Sequence, residues 1–426
     1  MLRTFSIWLL FVAGALAVCD LNLLEPKPIV MKRFGSKTAI VKRALTNLQM
    51  STNETVTFHC PTGISINRNT GQSLKINAAT AELLCTDDGV YLDDRQIIQQ
   101  RSGTFISCSA DFSQTLYESN HSLTGCDADA MTLLVGYRLP ALPDVKLLGM
   151  CYDLGASRLR FVSFLAYAPR NALLEMHTDH ELAALQLDSY IGSLSKYFRF
   201  PTKSEFQTQV DRQKRLGELF DGKLFEYESL LQDTQQIQEL NGYTDMLSIV
   251  WLRALRSGNW LHWLNALRAA ASSGGGIGDD EDVAGSRFDV RVGVSGVATL
   301  PVAHSCNASR PLLLEKIGDS TLPVPAQIWA HVRALQPSAT VPNEFVVVAH
   351  NSPYFNVLEL SSFCEDICAE IPWLSNTLFG QLHLVPSYGV VNCCRMDQLQ
   401  KLSDFPLAPA ALPAPTAAVS TPISLI

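Results

Sequence analysis

A histidine pair is the first feature of this sequence that could bind a metal. His177 and His180 are three residues apart, so on a helix they would face the same way and could share an ion. A zinc protease needs a glutamate next to the first histidine, and here Thr178 follows it. No third ligand is evident, so we expect solvated histidines at a helix start, with Asp179 as N-cap.

A cysteine quartet near the C-terminus is the second such feature. Four cysteines are enough to bind one zinc ion, so Cys364, Cys368, Cys393 and Cys394 could form a zinc site. In a secreted chain, however, two disulfides are favoured. Two adjacent cysteines opposite a one-turn Cys-x-x-x-Cys can all reach disulfide distance, so we predict that these four pair among themselves. The chain has 11 cysteines, and Cys306 is our candidate for the odd one.

Three tryptophans, Trp251, Trp260 and Trp263, could stack on nucleic-acid bases. Their helical spacing favours a place in the core instead. Arg268, farther along the same helical stretch, has two interpretations. It could meet a phosphate, or it could cap the helix or pair with an acid.

The N-terminal segment is typical of a cleavable secretory signal. Residues 1–17 combine an early cation, Arg3, an apolar run over 7–12 and the small-residue sequence Ala15-Leu16-Ala17. The run is too short to span a membrane, and no later stretch reaches about 18 apolar residues. We therefore expect a secreted protein with no membrane partner and with its cysteines in an oxidising compartment. Three glycosylation sequons, at Asn53, Asn120 and Asn307, agree with secretion.

The overall charge bears on possible partners. The net charge is -8 over 426 residues. Nucleic-acid binding draws on a basic surface, so this balance argues against strong affinity for a polyanion and leaves weak nucleic-acid binding open. The length suffices for two or three domains.

The spacing of the apolar residues changes along the chain. Turn-punctuated alternation with six cysteines predicts a small β-rich, disulfide-containing domain over residues 18–150, with strands at 55–60 and 104–108. Apolar spacings of three and four then predict helices. We expect a second domain over residues 151–404 and a disordered Pro/Ala-rich tail over 405–426. The elements predicted in the second domain are helices at 181–198, 205–220 and after Asn259, and strands at 158–168, 287–293, 311–317 and 344–349.

Several short motifs in order carry a family resemblance. They are Gln213 to Gly217, Gly258-Asn259-Trp260, Arg268, the stretch 322–329 and the stretch 344–354 with Asn351-Ser352-Pro353. Together with the cysteine quartet they resemble the secreted arthropod DNA/RNA non-specific endonucleases, a ββα-metal nuclease family. The resemblance implies an α+β second domain, with a mixed sheet flanked by helices.

The residues that such nucleases use for cleavage are largely replaced. The family employs a histidine base, an asparagine and a glutamate that hold and orient hydrated Mg²⁺, and an arginine that offsets negative charge. Only the arginine position is retained, as Arg268, because Leu264 stands at the glutamate position. The asparagine motif falls on 247–251 and is absent, and one alignment puts Lys223 at the histidine position. No histidine lies between His180 and His262.

These replacements suggest an inactive relative that uses no cofactor. We expect a secreted, catalytically inactive protein that acts in binding or as a scaffold. The alternative is an active metal-dependent endonuclease that hydrolyses DNA and RNA with a rearranged site.

Overall fold

In a computed structural model of this chain, residues 18–406 are described with gaps. The gaps of four or more residues are 69–72, 100–103, 140–143, 167–172, 176–179, 195–199, 213–223, 233–239, 302–308, 336–341 and 354–362, and shorter gaps occur elsewhere. The predicted signal peptide, Lys223, Asn307 and Cys306 all lie outside the described residues.

The described chain forms two compact units. The first comprises residues up to 113 with 139–142 and 172–176, and the second comprises the rest. The division therefore lies near residue 113 and not at residue 150, because the strands at 115–118, 130–137 and 145–153 belong to the sheet of the second unit.

The first unit contains two β-sheets. One has five strands in the order β4-β1-β11-β6-β7, and the other has seven in the order β10-β9-β8-β5-β2-β3-β16. The strands are β1 (Val18–Leu23), β2 (Ile29–Phe34), β3 (Lys37–Val41), β4 (Asn47–Ser51), β5 (Thr55–His59), β6 (Ile64–Arg68), β7 (Ser73–Ile76), β8 (Thr80–Thr86), β9 (Gly89–Leu92), β10 (Arg95–Gln99), β11 (Thr104–Cys108) and β16 (Leu173–Glu175). The strands predicted at 55–60 and 104–108 are confirmed as β5 and β11.

Two disulfides join the sheets of the first unit. Cys19 on β1 bonds to Cys85 on β8, and Cys60 after β5 bonds to Cys108 on β11. In each pair one cysteine belongs to the five-stranded sheet and the other belongs to, or directly follows, a strand of the seven-stranded sheet. Such crosslinks stabilise a small unit, because they restrict the unfolded chain.

The second unit is built on a nine-stranded antiparallel sheet with the order β17-β12-β13-β14-β15-β22-β27-β28-β29. Its strands are β12 (Thr115–Glu118), β13 (Ala130–Tyr137), β14 (Val145–Asp153), β15 (Arg158–Ala166), β17 (Ser189–Gly192), β22 (Phe288–Ser295), β27 (Gln327–Ala334), β28 (Glu344–His350) and β29 (Val391–Cys394). The other strands pair in twos: β18 (Phe225–Ser229) with β19 (Ser248–Leu252), β20 (Gly276–Ile277) with β21 (Asp280–Ala284), β23 (Thr299–Pro301) with β24 (Ser309–Pro311), and β25 (Leu313–Ile317) with β26 (Ser320–Pro323).

Helices make up the smaller share of the second unit. They are α1 (Glu181–Ala184), α2 (Lys203–Arg212), α3 (Arg253–Ser257), α4 (Asn259–Ser272), α5 (Pro372–Ser375) and α6 (Leu378–Leu382), with 3-10 turns at Asp245–Leu247, Cys368–Glu370, Pro386–Tyr388 and Met396–Lys401. The helix predicted after Asn259 is confirmed as α4. In the part of the chain that is described, no helix has the length and apolar character to span a bilayer.

Both faces of the nine-stranded sheet are buried. Strand β22 directs Val290 and Val292 toward the larger core cluster, and on the neighbouring β27 Trp329 faces the smaller cluster on the other side. Side chains alternate between the faces of a strand, so a sheet covered on both sides requires apolar residues at nearly every position. The run Phe345 to Ala349 is of this kind.

The predicted α+β, ββα-metal nuclease-like fold with a mixed sheet is wrong. Strands account for 47% of the described structure and helices for 20%, and the large sheet of the second unit is antiparallel. The helix predicted at 181–198 shows one reason for the error. It ends at Ala184, because Leu185 is already extended at φ -77° and ψ 156°, and the chain continues into β17. Leu182 and Leu185 are three residues apart, which is a helical spacing, but both are buried in one cluster with Leu187, two residues farther along an extended segment.

The prediction of a disordered tail over 405–426 is wrong for its first residue, Phe405. Phe405 is 5% exposed, and its ring lies 4.9 Å from that of Trp329 in an edge-on contact. This residue therefore belongs to the core. Residues 407–426 lie outside the described residues.

Candidate functional site

Helix α4 carries the residues from which the sequence predicted residual nuclease features. It follows the β18–β19 hairpin and the short helix α3. Its inner face belongs to the larger core cluster, in which Leu264 is 7% exposed and Leu267 is 3% exposed. Leu264, which the sequence resemblance would place at a glutamate position, is thus a core residue, and it has no atom that could orient water.

The three tryptophans lie inside the same core. Trp251, Trp260 and Trp263 are each 0% exposed. The ring centroids of Trp251 and Trp260 are 5.4 Å apart, and those of Trp260 and Trp263 are 4.8 Å apart. Nucleic-acid bases cannot reach rings that no solvent reaches, so these side chains contribute packing, Trp260 and Trp263 from α4 and Trp251 from β19.

Packing and hydrogen bonds account for the Gly258-Asn259-Trp260 motif, which has a structural role. A Cβ atom on Gly258 would lie 2.4 Å from the backbone oxygens of Ala254 and Tyr388, so only glycine fits this approach. The fully buried Asn259 donates from Nδ2 to the backbone oxygens of Leu382, at 2.6 Å, and Gly389. The motif holds the start of α4 against the segment 382–389 that precedes the cysteine-bearing strand β29.

Asn351, from the Asn-Ser-Pro sequence, holds strand β19 in place through hydrogen bonds of its side chain. Its side chain is fully buried. It accepts a hydrogen bond from the Leu252 amide at 2.6 Å and donates to the oxygens of Val250, at 2.9 Å, and Pro325, at 3.0 Å. Three good hydrogen bonds satisfy the amide side chain in the core.

The guanidinium of Arg268 forms hydrogen bonds within the protein. Its guanidinium donates to the backbone oxygen of Gln232 at 3.0 Å and to Oδ1 of Asn265 at 3.3 Å. The side chain is half-buried. This geometry favours the structural interpretation of Arg268, which links α4 to the segment that follows β18.

A cavity lies beside Arg268, between α4 and the large sheet. Its volume is about 20 Å³, enough for roughly one water-sized occupant. Among the described residues that line it, Arg268, Gln232 and the indole of Trp260 carry polar groups, and the rest of the wall is apolar, including Leu264.

This cavity does not fit the magnesium ion that the nuclease resemblance would require. Mg²⁺ binds through oxygen ligands in octahedral geometry and keeps several waters. Here the charged group is a guanidinium, which would repel the ion, and no carboxylate lies among the described lining residues. The space would not hold a hydrated ion together with a phosphate.

His180, one of the two predicted solvated histidines, is buried at 2% exposure. It is itself the N-cap of α1, because its Nδ1 accepts a hydrogen bond from the Leu182 amide at 3.1 Å. Its Nε2 lies 2.8 Å from Oδ1 of Asp289. The expectation of a solvated pair capped by Asp179 is therefore wrong for His180. His177 and Asp179 lie outside the described residues.

A buried polar network surrounds this pair on the smaller-cluster side of the sheet. Asp289 also accepts from Arg333 at 2.7 Å. Glu181 accepts from Arg291 at 2.6 Å and from the Ser163 hydroxyl at 2.7 Å. Burial raises the pKa of Asp289, but the hydrogen bond from His180 and the charges of Arg291 and Arg333 outweigh burial and lower it. The acidic side chains of the network are paired with arginines, and such pairing offsets the cost of burying a charge.

The arrangement does not match a nucleophilic triad. In such a triad one histidine nitrogen receives the serine proton while the other contacts the carboxylate. Here Nε2 of His180 faces Asp289 and Nδ1 is taken by a backbone amide, while the Ser163 hydroxyl donates to Glu181. Sequence reasoning missed this network. The available signal was the alternation of Asp289 and Arg291 with Val290 and Val292, which places both charges on one face of a buried strand.

The other well-buried histidines of the second unit are also occupied by protein contacts. His331 Nε2 lies 2.7 Å from Glu344, and burial lowers the pKa of His331 despite that carboxylate. His350 Nε2 lies 3.1 Å from Oδ1 of Asn392, and burial lowers the pKa of His350 to about 4. Neither is placed in the cavity beside Arg268. His262 lies on α4 with its ring 6.1 Å from Tyr388.

The cysteine quartet forms two disulfides. Cys364 bonds to Cys394 and Cys368 bonds to Cys393, so none of the four thiols remains to ligate zinc. Asp366 lies between them, where its Oδ1 accepts from the Cys393 amide at 2.8 Å and its Oδ2 meets His383 Nε2 at 2.8 Å. Burial lowers the pKa of His383, but the Asp366 hydrogen bond and charge outweigh it and raise this pKa. The quartet and Asp366 are a structural centre.

Two of the three sequon asparagines are described, and both are exposed. Asn53 lies in the turn between β4 and β5 at φ 66°, a conformation that asparagine tolerates. Asn120 follows β12, and its backbone amide donates to Asp188 at 2.7 Å. A glycan on either side chain would extend into solvent.

No known family model matches this chain, and no curated protein sequence matches it.

Proposed function

We propose that this protein is a secreted, disulfide-rich protein that acts in binding or as a scaffold and does not hydrolyse nucleic acids. The observation that supports this most is the inner face of α4. Where the sequence alignment places the metal-organising glutamate, Leu264 packs into the core beside a small, mostly apolar cavity. A water molecule there would find no base among the described lining residues to take its proton.

The engagement of Arg268 supports the same proposal. The one retained family position already donates to Gln232 and Asn265. Transition-state stabilisation needs donors aimed at the site where charge develops. An arginine that fastens its own helix to a neighbouring loop contributes to stability instead.

Secretion is part of the proposal because the bonding of the cysteines suits an oxidising compartment. The five disulfides join Cys19 with Cys85, Cys60 with Cys108, Cys126 with Cys151, Cys364 with Cys394 and Cys368 with Cys393. Disulfides of this density are typical of secreted proteins and rare in reducing compartments. The N-terminal signal and the exposed sequons point the same way.

The test of inactivity is plasmid and RNA digestion by the purified full chain with magnesium or manganese. We expect no cleavage above the level of a mock purification. Metal-dependent cleavage that disappears in Arg268→Ala would overturn the proposal and support the rearranged endonuclease. Cleavage that persists equally in Arg268→Ala and in the mock sample identifies a contaminant, and the protein itself would then count as inactive.

Retention on immobilised DNA then separates binding from scaffolding. A protein that binds through phosphate contacts loses affinity steeply as salt rises. With a net charge of -8, we expect at most weak retention that is lost at moderate salt. Retention that resists salt would contradict this expectation and point to a specific nucleic-acid interface.

A further inference from the structure

One surface segment of the second unit is poor in charge but rich in exposed apolar side chains. Residues 371–394 contain no Asp, Glu, Lys or Arg, and the exposed Glu370 and Arg395 on either side of them form an ion pair. Within the segment Leu378 is 52% exposed, Leu384 is 51% exposed and Tyr388 is 42% exposed. We call these three side chains the apolar patch. Apolar side chains that are exposed together, and not scattered singly, mark interaction sites.

The apolar patch lies on a loop whose base is held by hydrogen bonds. The buried side chain of Asn259 donates to the backbone oxygens of both Leu382 and Gly389, so the two ends of the loop between these residues are held together. Leu384 and Tyr388 belong to this loop, and the third side chain of the patch lies one helical turn before Leu382 on α6. A surface that is already ordered loses little conformational freedom on binding, which favours association.

The lack of charge restricts the kind of partner that fits this surface. A charged partner would find no group to pair with, whereas a second uncharged apolar surface matches it, because the cores of protein interfaces are depleted in charged residues. The whole chain carries a net charge of -8, so two copies repel each other over much of their surface. At the apolar patch they can meet without like charges.

We propose that two copies of this chain associate through the apolar patch, about a two-fold axis that brings each patch against the same patch of the other copy. Most homodimers have this symmetry, in which the contact surface must complement itself. The ion pair of Glu370 and Arg395 at the border of the segment provides each copy with one charge of either sign. Such a polar rim is self-complementary, because the positive group of one copy can face the negative group of the other. The dimer does not depend on whether the protein binds nucleic acid.

A second uncharged segment of this chain could compete for the patch. Residues 405–426 contain no Asp, Glu, Lys or Arg. However, Phe405 packs into the smaller core cluster, whereas Phe379, on the same helix as Leu378, packs into the larger cluster on the other side of the sheet. The tail therefore begins on the opposite side of the sheet from α6, and a second copy reaches the patch more directly.

Sedimentation velocity of the purified full chain tests the dimer, with free thiols alkylated first so that no cysteine links two chains. An aromatic side chain buries at most about 250 Å², so three partly exposed side chains supply less than the about 800 Å² per partner of a stable complex. We therefore expect a weak, reversible dimer that forms between about 1 and 100 µM protein. A monomer over this whole range would overturn the proposal. A monomer that dimerises only after removal of residues 407–426 would also overturn it and identify the tail as the occupant of the patch.

Two matched substitutions locate the contact. Leu384→Glu places a carboxylate in the apolar patch, and Leu24→Glu makes the same change in the first unit, where Leu24 is 45% exposed. We expect Leu384→Glu to weaken the dimer by about tenfold or more, because each dimer would bury two unpaired charges, and Leu24→Glu to leave it unchanged. A dimer that is equally strong, or equally weakened, in the two variants would refute the assignment.

Leu378→Glu repeats the test if Leu384→Glu fails to fold. Leu378 is the first residue of α6 and its side chain is half exposed, so folding tolerates a carboxylate there. A Tm within about 2 °C of the wild type shows that the variant is folded. We expect the same loss of the dimer as in Leu384→Glu, and an undiminished dimer in folded Leu378→Glu would overturn the proposal.

Discussion

Nε2 of His180 lies 2.8 Å from Oδ1 of Asp289, and both side chains are 1% exposed. Because Nδ1 of the same ring accepts the Leu182 amide, the hydrogen-bond pattern places the proton on Nε2, which donates to the carboxylate. The contact ties the short helix α1 to β22 in the interior of the nine-stranded sheet. The hydrogen bond therefore has a structural role.

Removing the charge of Asp289 should destabilise the second unit. Asp289→Asn keeps the shape but leaves Arg333 without its partner and weakens the bond from His180. Breaking a buried charged pair costs about 3–5 kcal/mol, and we expect about 3 kcal/mol because the Arg333 side chain is 44% exposed and can be hydrated. Urea unfolding with the disulfides intact measures the free energy.

The exposed ion pair of Arg395 and Glu370 provides the control for this loss. Its two side chains are 43% and 48% exposed. Surface pairs contribute about 0–1 kcal/mol, so Glu370→Gln should change the free energy of unfolding by less than about 1 kcal/mol. Equal losses in Asp289→Asn and Glu370→Gln would show that the buried network contributes no more than a surface pair.

His350 should make the protein less stable in mild acid. Burial lowers its pKa from 6.5 to about 4 in the folded protein, against the Asn392 hydrogen bond. Between these values the unfolded chain takes up a proton that the folded protein does not, so stability is present above pH 6.5 and is lost as pH falls toward 4. Linkage puts the loss from this one group at about 2 kcal/mol between pH 7 and pH 5.

The measurement is the free energy of unfolding at several pH values for the wild type and for His350→Gln. The variant should lose less stability than the wild type between pH 7 and pH 5, by about 2 kcal/mol. The same substitution at His121, which is exposed, serves as the matched control. A pH dependence that is the same in the wild type and in His350→Gln would disprove the assignment.

The disulfide pattern should appear in peptide mapping under non-reducing conditions. We expect Cys364 linked to Cys394 and Cys368 linked to Cys393. Joint replacement of Cys368 and Cys393 by serine should destabilise the protein by about 2–5 kcal/mol, as loss of a native disulfide does in small secreted domains. A peptide linking any of the four to Cys60 or Cys306 would rule out this pattern.

Secretion through a glycosylating host should modify Asn53 and Asn120, because both sequon asparagines are exposed. We expect a mass decrease on enzymatic removal of N-linked glycans. Asn53→Asp, which keeps a side chain tolerated at φ 66°, and Asn120→Gln should each abolish one glycan without changing Tm by more than about 2 °C, since surface changes usually stay within about 0.5 kcal/mol. Finding both asparagines unmodified in protein secreted by such a host would contradict the prediction.

Local patterns in the sequence were sufficient for several elements. Alternation over 55–60 and 104–108 predicted β5 and β11, and the apolar stripe of Trp260, Trp263, Leu264 and Leu267 predicted α4. These succeeded because the period of an apolar pattern is set by the backbone geometry of one element, which neighbouring residues alone determine. The presence of disulfides was likewise predicted from the number of cysteines in a chain with a secretory signal, and it is confirmed.

The tertiary structure decided the fold and the roles of the polar residues. The spacing of Leu182 and Leu185 fits a helix and that of Leu185 and Leu187 fits a strand, and only the pairing of β17 with β12 shows where the helix ends. In the same way, the sequence places His180 beside Glu181, but Asp289 lies 109 residues away and meets His180 only because β22 pairs between β15 and β27. Contacts between distant residues depend on the whole sheet, so no local pattern contains them.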